Sequence, residues 1–306
     1  MKKVLTFFVT AITVFSSFVS FAQVSSREEF LRFVRMSEEA RRLHSDSVIN
    51  SYRLALATTP ATAHSELYRK AGHEFLRYYT FEDVKMKRDS SIFYFKKAIA
   101  ADPANTTAYI NLGDVYDLND KTDSALYYYF KANQVSSSSQ DAYKGIIKMY
   151  KKNHQPDSVF YYSKKLLQLN PKNGFALLEV ASWFDTKKGF SDSALVYYQQ
   201  LVAVKYSGDM AREKVGYLVM AANSNDTIPL TYFTQMLNEW PSAWRQYYNI
   251  ACYYNNRGEK EKAMEYLEKA LQRGFKNTNQ LYAEPYLATV RDTEPFKKLI
   301  EKYLPV

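Results

Sequence analysis

Aromatic and aliphatic residues fall at three- and four-residue spacing along most of this chain, in blocks separated by short polar stretches. That period places them on one face of amphipathic helices. Tyr109, Leu112 and Tyr116 form the clearest stripe. A second pattern is superimposed on the first. The phrase Asp-Ser-(Ala/Val) followed by aromatics recurs at Asp46-Ser47-Val48, Asp89-Ser90-Ser91, Asp123-Ser124-Ala125, Asp157-Ser158-Val159 and Asp192-Ser193-Ala194. Weaker copies are Asp226-Thr227-Ile228 and Glu261-Lys262-Ala263. The third members step by 43, 34, 34, 35, 34 and 35 residues, so the chain is a tandem repeat.

Each phrase reads as the start of a helix, with Asp or Ser accepting from free backbone N–H groups. Down that helix an aromatic comes four residues after the third member, as in Tyr52, Phe95, Tyr129, Tyr198 and Tyr232, with Ser163 and Leu267 as departures. Proline then ends the helix at Pro60, Pro103, Pro171 and Pro241. Upstream lies another amphipathic helix, in which Gly113 lets the partner helix approach closely.

These residues resemble the tetratricopeptide repeat, a pattern of aromatic, Leu-Gly, Tyr, Ala, aromatic and Pro over 34 residues. Tyr109, Leu112, Gly113, Tyr116, Ala125, Tyr129 and Ala132 match it in order, and Ser137 stands where proline is expected. Tyr247, Ile250, Ala251, Tyr254, Ala263, Leu267 and Ala270 match it again. The copy near 140 keeps Tyr143, Tyr150, Val159 and Pro171 but has Ile147 at the small position; the copy near 209 keeps Gly216, Ile228 and Tyr232. The resemblance implies an all-α fold, a right-handed α-α superhelical solenoid of about seven helix pairs. The repeats divide at 27–62 (degenerate), 63–105, 106–139, 140–173, 174–208, 209–243 and 244–277. The second carries extra residues around Thr80–Lys87.

Residues 278–306 form a closing segment. Asp292-Thr293 can start a helix over about 293–304, with Pro295 in its first turn and Phe296, Leu299, Ile300 and Tyr303 on one stripe. A repeat stack needs its last apolar face covered, so this helix reads as a cap.

At the other end, residues 1–22 carry Lys2 and Lys3, an apolar run with scattered Ser and Thr, and Ser20-Phe21-Ala22. That is the form of a secretory signal peptide cut after Ala22; an uncleaved anchor over Val4–Phe21 is the competing reading. Cleavage leaves 284 residues of net charge +7. Export makes the periplasm the expected location, with secretion as the other outcome, and makes nucleic acid an unexpected partner. No integral membrane span is expected after cleavage.

Composition narrows the remaining choices. The chain of 306 residues is 46% hydrophobic and 24% charged, values of a soluble globular protein. Nine glycines and nine prolines are too few for a collagen-like, low-complexity or turn-rich all-β chain. A single cysteine, Cys252, excludes an intramolecular disulfide framework. No phosphate-cradling Gly-rich loop, nucleophile elbow or metal-spaced histidine pair is present, so neither an enzyme nor a cofactor is expected. His44, His64, His73 and His154 are scattered, and Cys252 reads as a small buried hydrophobe.

Candidate binding residues follow from the resemblance, which places the first helix of each repeat along a concave groove. Lys144, Lys148 and Lys152 lie one turn apart, with Lys151 beside them; they read either as a charged groove face or as a solvated one. The rest of the groove is mixed, with Asn111 and Asp114, then Tyr217, then Arg245, Tyr248 and Asn249. Tyr94, Tyr128, Tyr162, Tyr197 and Tyr266 form a ladder that serves either repeat packing or stacking on sugar rings. The function expected is a non-catalytic interaction scaffold of the cell envelope, binding an exported or envelope protein or peptide, with an acidic one among the options. A glycan- or wall-binding protein is the alternative.

Overall fold

A computed structural model describes residues 64–77, 84–223 and 225–304. The expected signal peptide and first repeat lie outside the described residues, as does part of the Thr80–Lys87 insertion. The described residues are helical throughout, joined by turns, and belong to two compact units that divide after Ser136.

The first unit contains α1 (His64–Arg77), α2 (Val84–Ala101), α3 (Thr106–Asp117) and α4 (Thr122–Val135). The second contains α5 (Gln140–Lys152), α6 (Pro156–Leu169), α7 (Gly174–Asp185), α8 (Ser191–Ala203), α9 (Gly208–Ala222), α10 (Ile228–Glu239), α11 (Trp244–Asn256) and α12 (Lys260–Gln272). There follow α13 (Thr278–Ala283), a 3₁₀ turn (Pro285–Leu287), α14 (Ala288–Arg291) and α15 (Glu294–Tyr303). Within each unit every helix packs chiefly on its neighbours in sequence, and the helices pair as α1–α2, α3–α4 and so on to α11–α12.

Small and large residues fit each other inside these pairs. A Cβ placed on Gly72 would stand 2.8 Å from Phe95 Cε1, one on Gly113 2.7 Å from Tyr129 Cε1, and one on Gly216 2.6 Å from Phe233 Cζ. The glycines are therefore required by close approach of the second helix's ring. The same two positions hold Ile147 and Ser163 in α5–α6, and Ala251 and Leu267 in α11–α12. Where the first helix carries the larger side chain, the second carries the smaller one. The departures at Ser163 and Leu267 are thus one half of an exchange of volume.

Two expectations need correction. In α10 the buried residues are Pro229, Phe233 and Met236, so the copy runs one residue later than Ile228 and Tyr232 predict. The Asp-Ser phrases do not cap by side chain in α4, α6 or α8. There Asp123, Asp157 and Asp192 sit in the first turn, and the N-cap residues are Lys121, Gln155 and Phe190. Their carboxylates face the positive end of the helix dipole instead. Side-chain caps belong to the first helices: Asn105, Ser139 and Asn173, 34 residues apart, accept from the N–H groups of Ala108, Ala142 and Ala176. The turns inside the pairs use one left-handed residue, at Asp120, His154, Gly189 and Gly258. His154 is thus a turn residue.

The tyrosine ladder is used internally. Tyr128 stacks on Tyr116 at 5.3 Å between ring centroids, Tyr162 on Tyr150 at 5.4 Å, and Tyr197 on Phe184 at 5.7 Å. Tyr94 stacks on Phe75 and Tyr266 packs on Tyr254. Each rung is engaged by a ring of its own pair's first helix.

The final helix runs over Glu294–Tyr303 with Pro295 in its first turn and Phe296, Leu299 and Ile300 buried. The Thr293 hydroxyl donates to the Val290 carbonyl rather than capping the helix. No helix among the described residues is long and apolar enough to cross a membrane.

Candidate functional site

The first helices of the second unit form a layer of their own, stitched by polar contacts between successive pairs. Lys151 on α5 donates to Glu179 on α7 at 2.6 Å, and Lys214 on α9 donates to Asp185 on α7. Glu179 is buried, and Lys151 holds its negative charge at the layer's edge. Both pairs join the same two repeat positions, with the signs of charge exchanged. A charge at one position is therefore answered by the opposite charge one repeat away.

The three lysines singled out from sequence lie on α5. Lys144 is 3.0 Å from Asp141, one turn earlier on the same helix, and Lys148 and Lys152 are exposed. They share a helix and a direction. Lys151, beside them in sequence, serves the packing of α5 on α7.

Farther along the layer, four predicted residues come together. The Tyr217 hydroxyl donates to Asn249 Oδ1 at 2.8 Å, Asn249 Nδ2 donates to Glu213 Oε1 at 3.1 Å, and Arg245 lies 3.5 Å from the other Glu213 oxygen. Burial pushes the Glu213 carboxyl above its usual range, opposed by the Arg245 charge and the Asn249 hydrogen bond. Tyr248 donates to Glu284, beyond α12, at 3.1 Å. Burial likewise raises the Tyr217 and Tyr248 hydroxyls and the Cys252 thiol, so all three stay protonated. Tyr248 and Asn249 are only 1% and 2% exposed, so they are interior groups here and not part of an open surface.

Asn111 and Asp114 belong to the first unit, on α3. Asp114 accepts from the Tyr129 hydroxyl at 2.6 Å, and Asn111 Nδ2 is buried with no hydrogen-bond partner. The carboxylate thus anchors the ring that fills the space at Gly113. Among the described residues no His, Cys, Asp and Glu group could hold a metal ion.

Sequence reading passed over Asp185, Lys214, Glu284 and Tyr286. The first two were accessible in principle, because the period itself aligns them with Lys151 and Glu179. The last two lie outside the repeats, where no period applies.

Tetratricopeptide-repeat family models match residues 94–127 and 246–273. No curated protein matches the chain. Among solved structures, the chain is similar to YrrB, described as a TPR protein with an unusual peptide-binding site. Identity is 25%, the match covers 62% of this chain and 97% of YrrB, and the TM-score is 0.54. It is also similar in fold to Pseudomonas aeruginosa pilF at 16% identity, covering 72% of this chain and 91% of that one, with a TM-score of 0.51. The chain thus carries tetratricopeptide repeats at 94–127 and 246–273, within an all-α fold of helices packed in sequential pairs.

Proposed function

We propose that this repeat protein is a non-catalytic scaffold of the cell envelope, binding a protein or peptide partner on the layer of first helices in the second unit. The observation that carries the reading is the polarity of that layer. Lys151, Lys214 and Arg245 meet carboxylates within it, and Lys148 and Lys152 add exposed positive charge on α5 near Lys144. Exposed charges of one sign steer and select a partner of the other sign. An acidic protein segment is the partner that fits. The peptide-binding site named for YrrB supports a peptide or protein ligand over a sugar. The engagement of the tyrosine ladder in ring–ring packing supports the same choice. Export rests on the pattern of residues 1–22. The closing helix α15 serves in this reading as the cover for the last repeat's apolar face.

Affinity capture from envelope fractions with the chain lacking residues 1–22 tests the proposal. One acidic partner released by moderate salt is the expected result. Retention on purified wall material without a protein partner would favour the glycan alternative.

A further inference from the structure

Residues 278–291 follow the last repeat but do not continue its pattern. Pro285 disfavours the helical region for the residue before it, and Glu284 is extended, with φ −70° and ψ 112°. The stretch is therefore broken into a six-residue helix, a 3₁₀ turn and a four-residue helix. The break, extended at Glu284 and turned at Pro285–Leu287, crosses α11 and reaches Tyr217 on α9.

Its contacts there are those of a bound peptide. The Glu284 carboxylate accepts from Tyr248 at 3.1 Å. Asn255 Nδ2 donates to the backbone carbonyl of Tyr286 at 2.7 Å, and the Tyr286 hydroxyl donates to the Tyr217 carbonyl at 3.4 Å. The Tyr286 ring packs on Tyr217 with centroids 5.8 Å apart. A side-chain amide gripping a backbone carbonyl reads no sequence, while the carboxylate and ring contacts select side chains. Glu284 and Tyr286 are only half-buried, and the apolar anchors Leu281, Leu287 and Val290 flank them. The polar stretch can therefore lift while its ends stay fixed.

We propose that Glu284–Tyr286 is an intrachain ligand: it occupies a site on α9 and α11 that takes a peptide turn with a carboxylate two residues before an aromatic, and it withholds that site from partners. The site is separate from the α5 lysines and does not depend on the partner assigned to them.

Cys252, the chain's single cysteine, is fully buried with Glu284, Tyr217 and Tyr248 acting on its thiol, so its reactivity serves as the probe of this stretch. The test is the rate of Cys252 modification by Ellman's reagent in the chain lacking residues 1–22. Wild type should react slowly. Glu284→Ala with Tyr286→Ala should react at least about tenfold faster, since local opening controls access to a buried thiol. The hexapeptide Ala-Glu-Pro-Tyr-Leu-Ala should return the variant towards the wild-type rate, and the same residues in reversed order should not. An unchanged rate in the variant, or an acceleration that the hexapeptide leaves untouched, overturns the proposal. Should the double variant lose helical circular dichroism, Tyr248→Phe removes only the hydroxyl holding Glu284. It should give a smaller acceleration, which the hexapeptide does not reverse because the site itself has lost the donor to its carboxylate, and no acceleration there overturns the proposal equally.

Discussion

Gly113 and Tyr129 are complementary: the Tyr129 ring occupies the space a side chain at 113 would need, and a Cβ there would stand 2.7 Å from its Cε1. The ring cannot swing away freely, because it is buried and its hydroxyl is held by Asp114. Helix propensity alone would favour alanine at 113; the ring reverses that expectation.

Gly113→Leu should therefore cost about 1–3 kcal/mol by overpacking. Gly113→Ala should also destabilise, by less. Combining Gly113→Ile with Tyr129→Ser imports the pairing found at Ile147 and Ser163, and should recover part of the loss caused by Gly113→Ile alone. Urea denaturation of Gly113→Ile, Tyr129→Ser and the double variant measures the coupling. Simple additivity of the two changes would show that the positions do not share one space.

The neighbouring lysines of α5 should separate cleanly in stability. Lys151→Met leaves the buried Glu179 carboxylate without the ammonium 2.6 Å away. Because Lys151 itself is 63% exposed, solvent softens the loss to about 1–2 kcal/mol. Lys148→Ser, on the exposed face, should change stability by less than about 0.5 kcal/mol. Thermal melts of the two variants side by side decide this; equal shifts would contradict the division of roles.

Glu213 should give the second unit a pH dependence of defined sign. Burial raises its carboxyl above the usual 4.5, with Asp209 adding to the effect and Arg245 and Asn249 opposing it. An acid with a raised folded-state pKa binds its proton more tightly in the fold. Its contribution is intact below the ordinary value and is lost as pH rises through the folded one. Glu213→Gln removes that loss. Denaturation midpoints measured from about pH 4 to about pH 7 should shift in favour of the glutamine variant as pH rises. A constant difference across the range would contradict the assignment.

The sequence revealed the helix pairs and their period because a 34-residue repeat states the same packing problem several times over. Gly113 was readable as a close approach for that reason. What it faces was not, since the ring at 129 and the exchange of volume at 147 and 163 emerge only when two helices are seen together. The register in α10 slipped because Tyr232 and Phe233 are adjacent aromatics, and only burial separates them. Tyr248 and Asn249 were legible as first-helix residues. Their covering was not, because Glu284 and Tyr286 lie in a non-repeating segment whose path is set by Pro285 and by tertiary contacts.

The partner-binding role proposed for the α5 lysines is tested most directly by the affinity of the captured partner for two triple variants. One replaces Lys144, Lys148 and Lys152 with Ser, and the other replaces Lys276, Lys297 and Lys298, which lie beyond α12. Both should melt within a few degrees of wild type, since exposed lysines contribute little to folding. At about 50 mM salt, where screening is weak, the α5 variant should bind at least about tenfold more weakly, and the gap should close as salt rises. Equal affinity of the two variants at low salt would contradict the account and leave the α5 lysines as a solvated face.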